Sequence, residues 1–240
     1  MYLVIFSSVT TRKDGLMEAL ISCDDIKLTL SKYKSNVLPI SEEGIPIPIN
    51  QVEEYFLNEN GKKQASANTN FAMKKASGQV IKIIFQDDYL YTNKALSNLY
   101  NVFSNTNISW CVCASEHSYD GVTVFRSFYP NYNDNIQLGN NTISSPSVIA
   151  VRRENYIPFD EKLIYLMDVD LYKRYFDRDG MPFILNDILV VNRLHDKQVS
   201  QLVTKSLIRS ELHYIKRKFK NQMNIKSLFI YLKRILKSYF

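Results

Sequence analysis

Two adjacent carboxylates, Asp87 and Asp88, follow a short apolar run that is rich in isoleucine. Such a run, ending abruptly in polar residues, is typical of a buried parallel strand. Ligands of open α/β sheets gather at the carboxyl ends of strands. Neighbouring carboxylates repel each other unless a cation or hydrogen bonds hold them. The pair therefore predicts a site for Mg²⁺ or Mn²⁺ bridging to a phosphate-bearing ligand, and the alternative is a solvated turn after the strand.

The elements around this acidic pair alternate between strand and helix as far as about residue 103. That order predicts a wound, parallel sheet. Apolar runs and alternation predict strands at 2–6, 26–30 and 80–86. Apolar residues at helical spacing predict helices at 15–23, 52–57, 70–76 and 93–103.

The second half of the chain mixes shorter regular elements with polar loops. Strands are predicted at 109–115, 121–128 and 181–191, with a polar loop at 116–120. A helix is predicted within 160–176. The long segment 131–147 is polar and rich in turn residues.

Length and composition suit one α/β domain, or one domain with an appendage. The 240 residues are 45% hydrophobic and 22% charged, which is typical of a globular chain of one principal domain. The three cysteines, Cys23, Cys111 and Cys113, lack the spacing of a zinc or redox motif, so we expect reduced thiols in the cytoplasm.

The net charge of +6 is unevenly distributed. Residues 205–240 contain ten Lys or Arg and one acid, Glu211, and so carry +9, whereas residues 1–204 carry −3. We therefore predict a mildly acidic body over 1–204 and a strongly basic helical tail over 205–240.

The tail is also amphipathic. Its apolar residues recur near helical spacing, with bases between them: Ile225, Leu228, Phe229, Leu232, Leu236 and Phe240. Basic amphipathic helices lie in the interface of anionic membranes. The same pattern also suits a helix packed on the body or on a second subunit, with its lysines in solvent.

Three stretches contain residues whose types and order form a recognisable pattern: Asn70, Ala76, Gly78, Asp87, Asp88, Asp168, Asp170, Leu171, His195, Gln198 and Ser200. With these residues the chain resembles a bacterial family 2 glycosyltransferase with the GT-A fold, over most of residues 60–204. Three family positions differ, because Thr69, Phe85 and Met167 replace an Arg, an Asp and a Glu. A further difference is Ser7, which begins the loop 7–10 where the family has Pro-Thr-Tyr-Asn.

The resemblance implies a fold and an activity. The fold is a GT-A (Rossmann-like) mixed sheet flanked by helices, with a C-terminal basic helical extension. The activity is transfer of a sugar, with inversion, from a nucleotide-diphosphate sugar to an acceptor hydroxyl. Surface polysaccharide assembly is the implied setting, with a saccharide or lipid-linked saccharide as acceptor. The implied place is the cytoplasm or the inner face of the cell membrane, and a homodimer is compatible.

The resemblance also implies roles for individual residues. Asp87 would bind Mn²⁺ or Mg²⁺, and Asp88 would orient metal-bound water or a sugar hydroxyl. Asp168 would be the general base that an acceptor hydroxyl needs at neutral pH, although a carboxylate there also suits a helix cap. His195 would contact the metal or the diphosphate.

Two further residues, Ser7 and Asn70, would bind the donor, and Ser145 and Ser147 would line the acceptor side or form an ordinary turn. Two other functional classes stay open. A glycosyltransferase-like protein that has lost chemistry would serve as a binding or scaffold protein. A nucleic-acid binder would use the basic tail and show steep salt dependence, but the acidic body and the absence of a known module make nucleic acid an unexpected partner.

Overall fold

The structure is a computed structural model, and it describes residues 2–6, 27–32, 54–57, 64–76, 78–85, 88–92, 94–195, 198 and 203–239. The first three of these segments are described by their backbone alone. The predicted helix at 15–23 lies outside the described residues.

Within those ranges, nine strands form one mixed sheet in the order β3-β2-β1-β4-β8-β6-β9-β5, and β7 pairs with β6. The strands are β1 (Tyr2–Phe6), β2 (Lys27–Lys32), β3 (Glu54–Leu57), β4 (Val80–Phe85), β5 (Tyr89–Leu90), β6 (Trp110–Ser118), β7 (Val124–Phe128), β8 (Ile149–Arg152) and β9 (Phe183–Arg193). Strands β1, β2 and β4 run parallel, as predicted, and β3 pairs in parallel with β2. Strand β8 is antiparallel to β4 and to β6, and β9 is parallel to β6. The carboxyl ends of β4, β6 and β9 therefore lie at the same edge of the sheet.

The helices are α1 (Ala65–Lys75), α2 (Ala95–Asn105), α3 (Met167–Asp179), α4 (Lys205–Lys218) and α5 (Ile225–Lys237). They confirm the predicted helices at 70–76, at 93–103 and within 160–176, although α1 begins earlier than predicted. The sheet with its flanking helices confirms the predicted α/β class.

Residues 54–57 form a strand, so the prediction of a helix at 52–57 is wrong there. Strand β3 pairs in parallel with the edge of β2. Its centre is Tyr55 and Phe56, two aromatic residues that favour strands. A helix of six residues gains too few hydrogen bonds to persist without strong packing, so pairing with β2 decides the conformation.

The predicted loop at 116–120 is also partly wrong, because residues 116–118 continue β6. Parallel pairing with β9 extends to Ser118, which lies opposite Arg193. The polar side chains of this extension are buried and hydrogen-bonded; His117 Nδ1, for example, lies 2.9 Å from the carbonyl oxygen of Arg126. The polar residues 116–118 suggested a loop, but polar side chains can be buried in a strand at little cost when they are hydrogen-bonded.

Strand β4 lies inside the sheet, and its β-branched residues are buried, as predicted. Lys82 is the charged residue among the apolar residues of β4, and it is nevertheless fully buried. It donates hydrogen bonds to the carbonyl oxygens of Ser147 and Ile149, and desolvation lowers its pKa. Lys82 thereby fixes the short 3₁₀ turn Pro146–Val148 to the end of the central strand.

Helix α4 and part of α5 pack against the body. Leu212, Ile215, Phe219 and Tyr231 are buried in the same apolar core as the sheet. Among the described residues, no helix combines the length and the apolar character that crossing a bilayer requires.

Candidate functional site

The candidate site begins at Asp88, just beyond the carboxyl end of β4. The Asp88 side chain is 7% exposed. Its Oδ1 accepts a hydrogen bond of 3.1 Å from the backbone N–H of Arg193, at the end of β9. Its Oδ2 lies 3.1 Å from Ser145 Oγ. The side chain is therefore held between two strand ends and the loop before β8.

Ser145 joins Asp88 to the end of β9. Its hydroxyl oxygen also lies 2.6 Å from Asn192 Oδ1, so its single proton serves one of two acceptors at a time. The amide nitrogen of Asn192 donates to Ser115 Oγ at 3.1 Å and to Ser144 Oγ at 3.0 Å. The result is a small, largely buried polar cluster at the shared edge of the sheet.

Ser144 adopts φ = +98°, a region that residues other than glycine rarely occupy. Strained backbone of this kind persists where surrounding contacts fix it, and it is common at functional sites. The contacts here are made by Asn141 and Tyr172: the Asn141 amide nitrogen and the Tyr172 hydroxyl both donate to the Ser144 carbonyl oxygen, at 2.8 and 3.2 Å.

Asp168 lies in the first turn of α3 and contacts the same loop. Its Oδ2 accepts a hydrogen bond of 2.7 Å from Asn141 Nδ2. Its Oδ1 accepts one of 2.7 Å from the backbone N–H of Val169. Because Asn141 also bonds Ser144, residues 141–145 touch Asp168 at one end and Asp88 at the other.

The Asp168 carboxyl is suited to acid–base chemistry near neutral pH. Desolvation by the surrounding protein raises its pKa to about 6, although the side chain keeps some contact with solvent. Hydrogen bonds from the backbone N–H groups of Val169 and Asp168 and from Asn141 oppose that rise, and the nearby Glu211 carboxylate adds to it. A base with a pKa close to the operating pH is effective in proton transfer.

Glu211 of α4 supports the start of α3. It is 2% exposed, and it accepts hydrogen bonds from the backbone N–H groups of Ile164, Tyr165 and Leu166 at 2.7 to 3.3 Å. These N–H groups precede the first turn of α3, where a carboxylate also meets the favourable end of the helix dipole. The only acid of the tail thus fixes the tail to the helix that carries Asp168.

The other predicted residues either make contacts of their own or lie outside the described residues. Asn70 bonds the segment 159–161, through Phe159 N, Phe159 O and Glu161 Oε1 at 2.6 to 3.0 Å. His195 is half-buried just after β9, and its carbonyl oxygen accepts from the Gln198 N–H. Ser7 and Asp87 are not among the described residues.

A hard divalent cation suits the chemistry of the donors that the sequence places here, because carboxylate oxygens are its usual ligands. Asp88 contributes two such oxygens, both already in hydrogen-bond contact. In the part of the chain that the structure describes, no three His, Cys, Asp or Glu side chains come together as a metal centre.

Four residues of the site were missed by sequence reasoning: Asn141, Ser144, Asn192 and Glu211. Asn192 carried a usable signal, because it is polar and directly follows an apolar run. Glu211 carried one as the single acid in a basic tail. Asn141 and Ser144 sit in a long polar segment in which no pattern distinguishes them.

The chain has the GT-A glycosyltransferase fold. TarS of S. aureus in complex with UDP-GlcNAc superposes with a TM-score of 0.59 at 13% identity, over 100% of this chain and 72% of that one. A mannosyltransferase, PcManGT from Pyrobaculum calidifontis in complex with GDP-Man and Mn²⁺, gives 0.50 at 11% identity, over 90% and 64% of the two chains.

Glucosyl-3-phosphoglycerate synthase from Mycobacterium tuberculosis, in complex with Mn²⁺, UDP and glucosyl-3-phosphoglycerate, gives a TM-score of 0.50 at 14% identity, over 90% of this chain and 78% of that one. No family model and no curated protein matches the sequence. At these identities the likeness is one of fold, and it confirms the fold that the sequence resemblance implied.

Proposed function

We propose that the protein is an inverting glycosyltransferase that moves a sugar from a nucleotide-diphosphate sugar to an acceptor hydroxyl. One observation carries this proposal: the loop 141–145 holds both Asp88 and Asp168 at one edge of the sheet. A donor and an acceptor must meet within a single cleft, so the two carboxylates need a common frame. The GT-A likeness supports the same activity.

Asp168 acts as the general base in this proposal. Its ionised carboxylate takes the proton of the acceptor hydroxyl as the acceptor oxygen bonds to the anomeric carbon. The bond between that carbon and the diphosphate oxygen breaks, and the leaving nucleoside diphosphate keeps the electron pair. One displacement from the opposite face inverts the anomeric centre. Asn141 and the Val169 N–H hold the carboxylate in place for this step.

Asp88 works on the donor side. Its fixed position at the end of β4 suits the orientation of a donor sugar hydroxyl or of metal-bound water. Asp87 and His195 would hold Mn²⁺ or Mg²⁺, with Ser7 and Asn70 binding the donor. When bound, such a cation stabilises the negative charge that develops on the leaving diphosphate.

The setting that we propose is the assembly of a bacterial surface polysaccharide, with a saccharide or lipid-linked saccharide as acceptor. The enzyme would work in the cytoplasm, peripherally at the inner face of the cell membrane, and a homodimer is compatible with that setting. The competing function is a catalytically degenerate glycosyltransferase-like scaffold, which the replacements at Thr69, Phe85 and Met167 favour.

A donor panel tests the choice between these two functions. UDP- and GDP-sugars, with and without Mn²⁺, are screened for a rise in melting temperature, because a ligand of the native state stabilises it by mass action. Donor hydrolysis is then measured for the wild type, Asp168→Asn and Asp88→Asn. Asp134→Asn, at an exposed acid outside the cluster, is the matched control.

We expect a nucleotide-sugar to stabilise the wild type and the control, and hydrolysis to disappear in Asp168→Asn while donor binding remains. Stabilisation without any turnover by the wild type would support the scaffold. The absence of both would contradict the transferase and any donor-binding function.

A further inference from the structure

Helix α5 is anchored to the body by its polar side. Ser227 and Tyr231 are buried, at 2% and 4% exposure. Ser227 Oγ donates to Asn135 Oδ1 at 2.6 Å, and Tyr231 OH lies 2.6 Å from His213 Nδ1 of α4. The Arg234 guanidinium donates to the carbonyl oxygen of Gly139 at 2.5 Å. These polar contacts face inward along the helix, beside Tyr231 and the partly buried Ile230 and Ile235, which pack on the core.

The apolar side of the same helix faces solvent. The exposed residues, with the exposed fraction of each, are Ile225 (90%), Leu228 (41%), Phe229 (69%), Leu232 (49%), Leu236 (60%) and, just after the helix, Tyr239 (63%). At about 100° per residue they form one stripe along the helix. A surface helix of a globular protein normally has the opposite arrangement, and a contiguous exposed apolar patch marks an interaction surface.

Positive charge borders this stripe. Lys226, Lys233 and Lys237 are exposed and lie in one row along its edge, at the same helical angle within about 40°. The single acid of residues 205–240, Glu211, is buried against the segment before α3 and does not offset them. The outward surface of α5 thus combines apolar bulk with uncompensated positive charge.

These features select one kind of partner. Two antiparallel copies of α5 packed face to face would bring lysine rows of equal sign together, which is unfavourable for a symmetric contact. A nucleic acid would use the lysines and leave the apolar stripe in water. An anionic lipid surface satisfies both, because acyl chains take the apolar side chains while lysines reach the phosphates.

We propose that the outward face of α5 is a docking surface that inserts into the interface of an anionic membrane. The inward face of α5 bonds residues 135–139, which lead directly into the loop 141–145. Docking therefore brings the acceptor side of the cleft close to the lipid surface. This last step rests on the proposed transferase function, whereas membrane binding itself does not.

Vesicle co-sedimentation of the full chain tests the proposal. The probes are vesicles of phosphatidylglycerol with phosphatidylcholine, and vesicles of phosphatidylcholine alone, at low and high salt. The first variant is Phe229→Ser/Leu232→Ser/Leu236→Ser, and the second is Lys226→Gln/Lys233→Gln/Lys237→Gln. The control, Tyr119→Ser/Val122→Ser/Tyr129→Ser, removes exposed apolar side chains elsewhere on the body. Circular dichroism and light scattering report the fold and the oligomeric state.

We expect the wild type and the control to bind the anionic vesicles, more weakly at high salt. The serine variant should bind about a thousandfold more weakly, since each of the three inserted Leu or Phe side chains contributes about tenfold. The lysine variant should lose about fivefold for each charge removed. Undiminished binding by the serine variant, or no binding by the wild type, would overturn the proposal.

A dimeric wild type that becomes monomeric in the serine variant, with neither binding vesicles, would assign the face to a second copy and also overturn it. Donor-induced stabilisation of the serine variant in solution is measured separately. A failure of the membrane surface is therefore distinguishable from a failure of the transferase.

Discussion

The amide nitrogen of Asn141 donates a hydrogen bond of 2.7 Å to the carboxylate of Asp168. The same nitrogen donates to the carbonyl oxygen of Ser144, whose neighbour Ser145 contacts Asp88. One side chain thus connects the start of α3 with the loop that reaches the end of β4. The relative position of the two carboxylates is set by this loop rather than by the sheet alone.

If Asp168 is the general base, the activity should depend on pH through the titration of its carboxyl group. Burial raises the pKa of Asp168 to about 6, and only the ionised carboxylate accepts a proton. We expect kcat/KM to fall about tenfold per pH unit below that value, because the profile of kcat/KM reports the free enzyme. Steady-state rates between pH 4.5 and 8 measure this limb. A flat profile over that range would exclude Asp168 as the base.

The Asn141→Ala substitution should move that acidic limb. Asn141 donates to the ionised form of Asp168 and so opposes the rise of its pKa. Without the amide, the pKa should rise and the limb should shift to higher pH. The comparison is with Asn133→Ala, a loop asparagine whose side chain caps Asn135 N and does not contact Asp168. An unchanged limb in Asn141→Ala, with the fold intact, would contradict the role assigned to Asn141.

Stability should also depend on Asp168 in a defined pH window. Its carboxyl has a pKa of about 6 in the folded state and an ordinary value near 3.8 in the unfolded state. Between these values the folded state binds the proton and the unfolded state does not, so the free energy of unfolding rises as pH falls. The contribution is lost as pH rises through about 6.

Denaturant unfolding between pH 4 and 7 measures this dependence for the wild type and for Asp168→Asn. The difference in free energy of unfolding between the two should change with pH in that window and level off above it. Parallel curves for the two proteins would show that the carboxyl titrates normally.

The sequence indicated the fold better than it indicated the site. Isoleucine-rich β4 and the alternation of elements were enough to predict a parallel arrangement through β1, β2 and β4. Local patterns failed where partners decided the structure. Strand β3 forms because it pairs with the edge of β2. The polar end of β6 can be a buried strand because its side chains form hydrogen bonds in the folded protein.

At the site, the acids Asp88 and Asp168 were identifiable by type and by order along the chain. Their supporting residues were not, because Asn141 and Ser144 acquire their roles from contacts across the fold. The positive φ of Ser144 has no signature in its residue type. Supporting residues in a polar loop can be identified only when the conformation of the loop is known.

Glu211→Gln should weaken the junction between α4 and α3. The buried Glu211 carboxylate accepts hydrogen bonds from three successive N–H groups, and a glutamine retains one acceptor oxygen and turns an NH₂ group towards the rest. We expect a loss of about 1–3 kcal/mol in the free energy of unfolding. Removal of a like charge should also lower the pKa of Asp168.

Urea unfolding, together with the carboxyl carbon shift of Asp168 followed by NMR against pH, measures both effects of Glu211→Gln. Glu154→Gln, at an exposed acid, is the matched control. A stability loss with no change in the Asp168 titration would leave Glu211 as a cap that does not influence the proposed base.

Ser145→Ala should separate donor binding from the chemistry at Asp168. Ser145 Oγ lies within hydrogen-bond distance of Asp88 Oδ2 and Asn192 Oδ1, and alanine leaves both buried oxygens without that proton. We expect about 1–3 kcal/mol less stability and a smaller donor-induced rise in melting temperature, because Asp88 loses one of its fixed contacts. The acidic limb of the pH profile should stay near its wild-type position, since Asn141 still bonds Asp168.

Ser210→Ala, at an exposed hydroxyl of α4, is the control for the substitution itself. A donor-induced shift equal to that of the wild type would show that the contact of Ser145 with Asp88 does not contribute to donor binding.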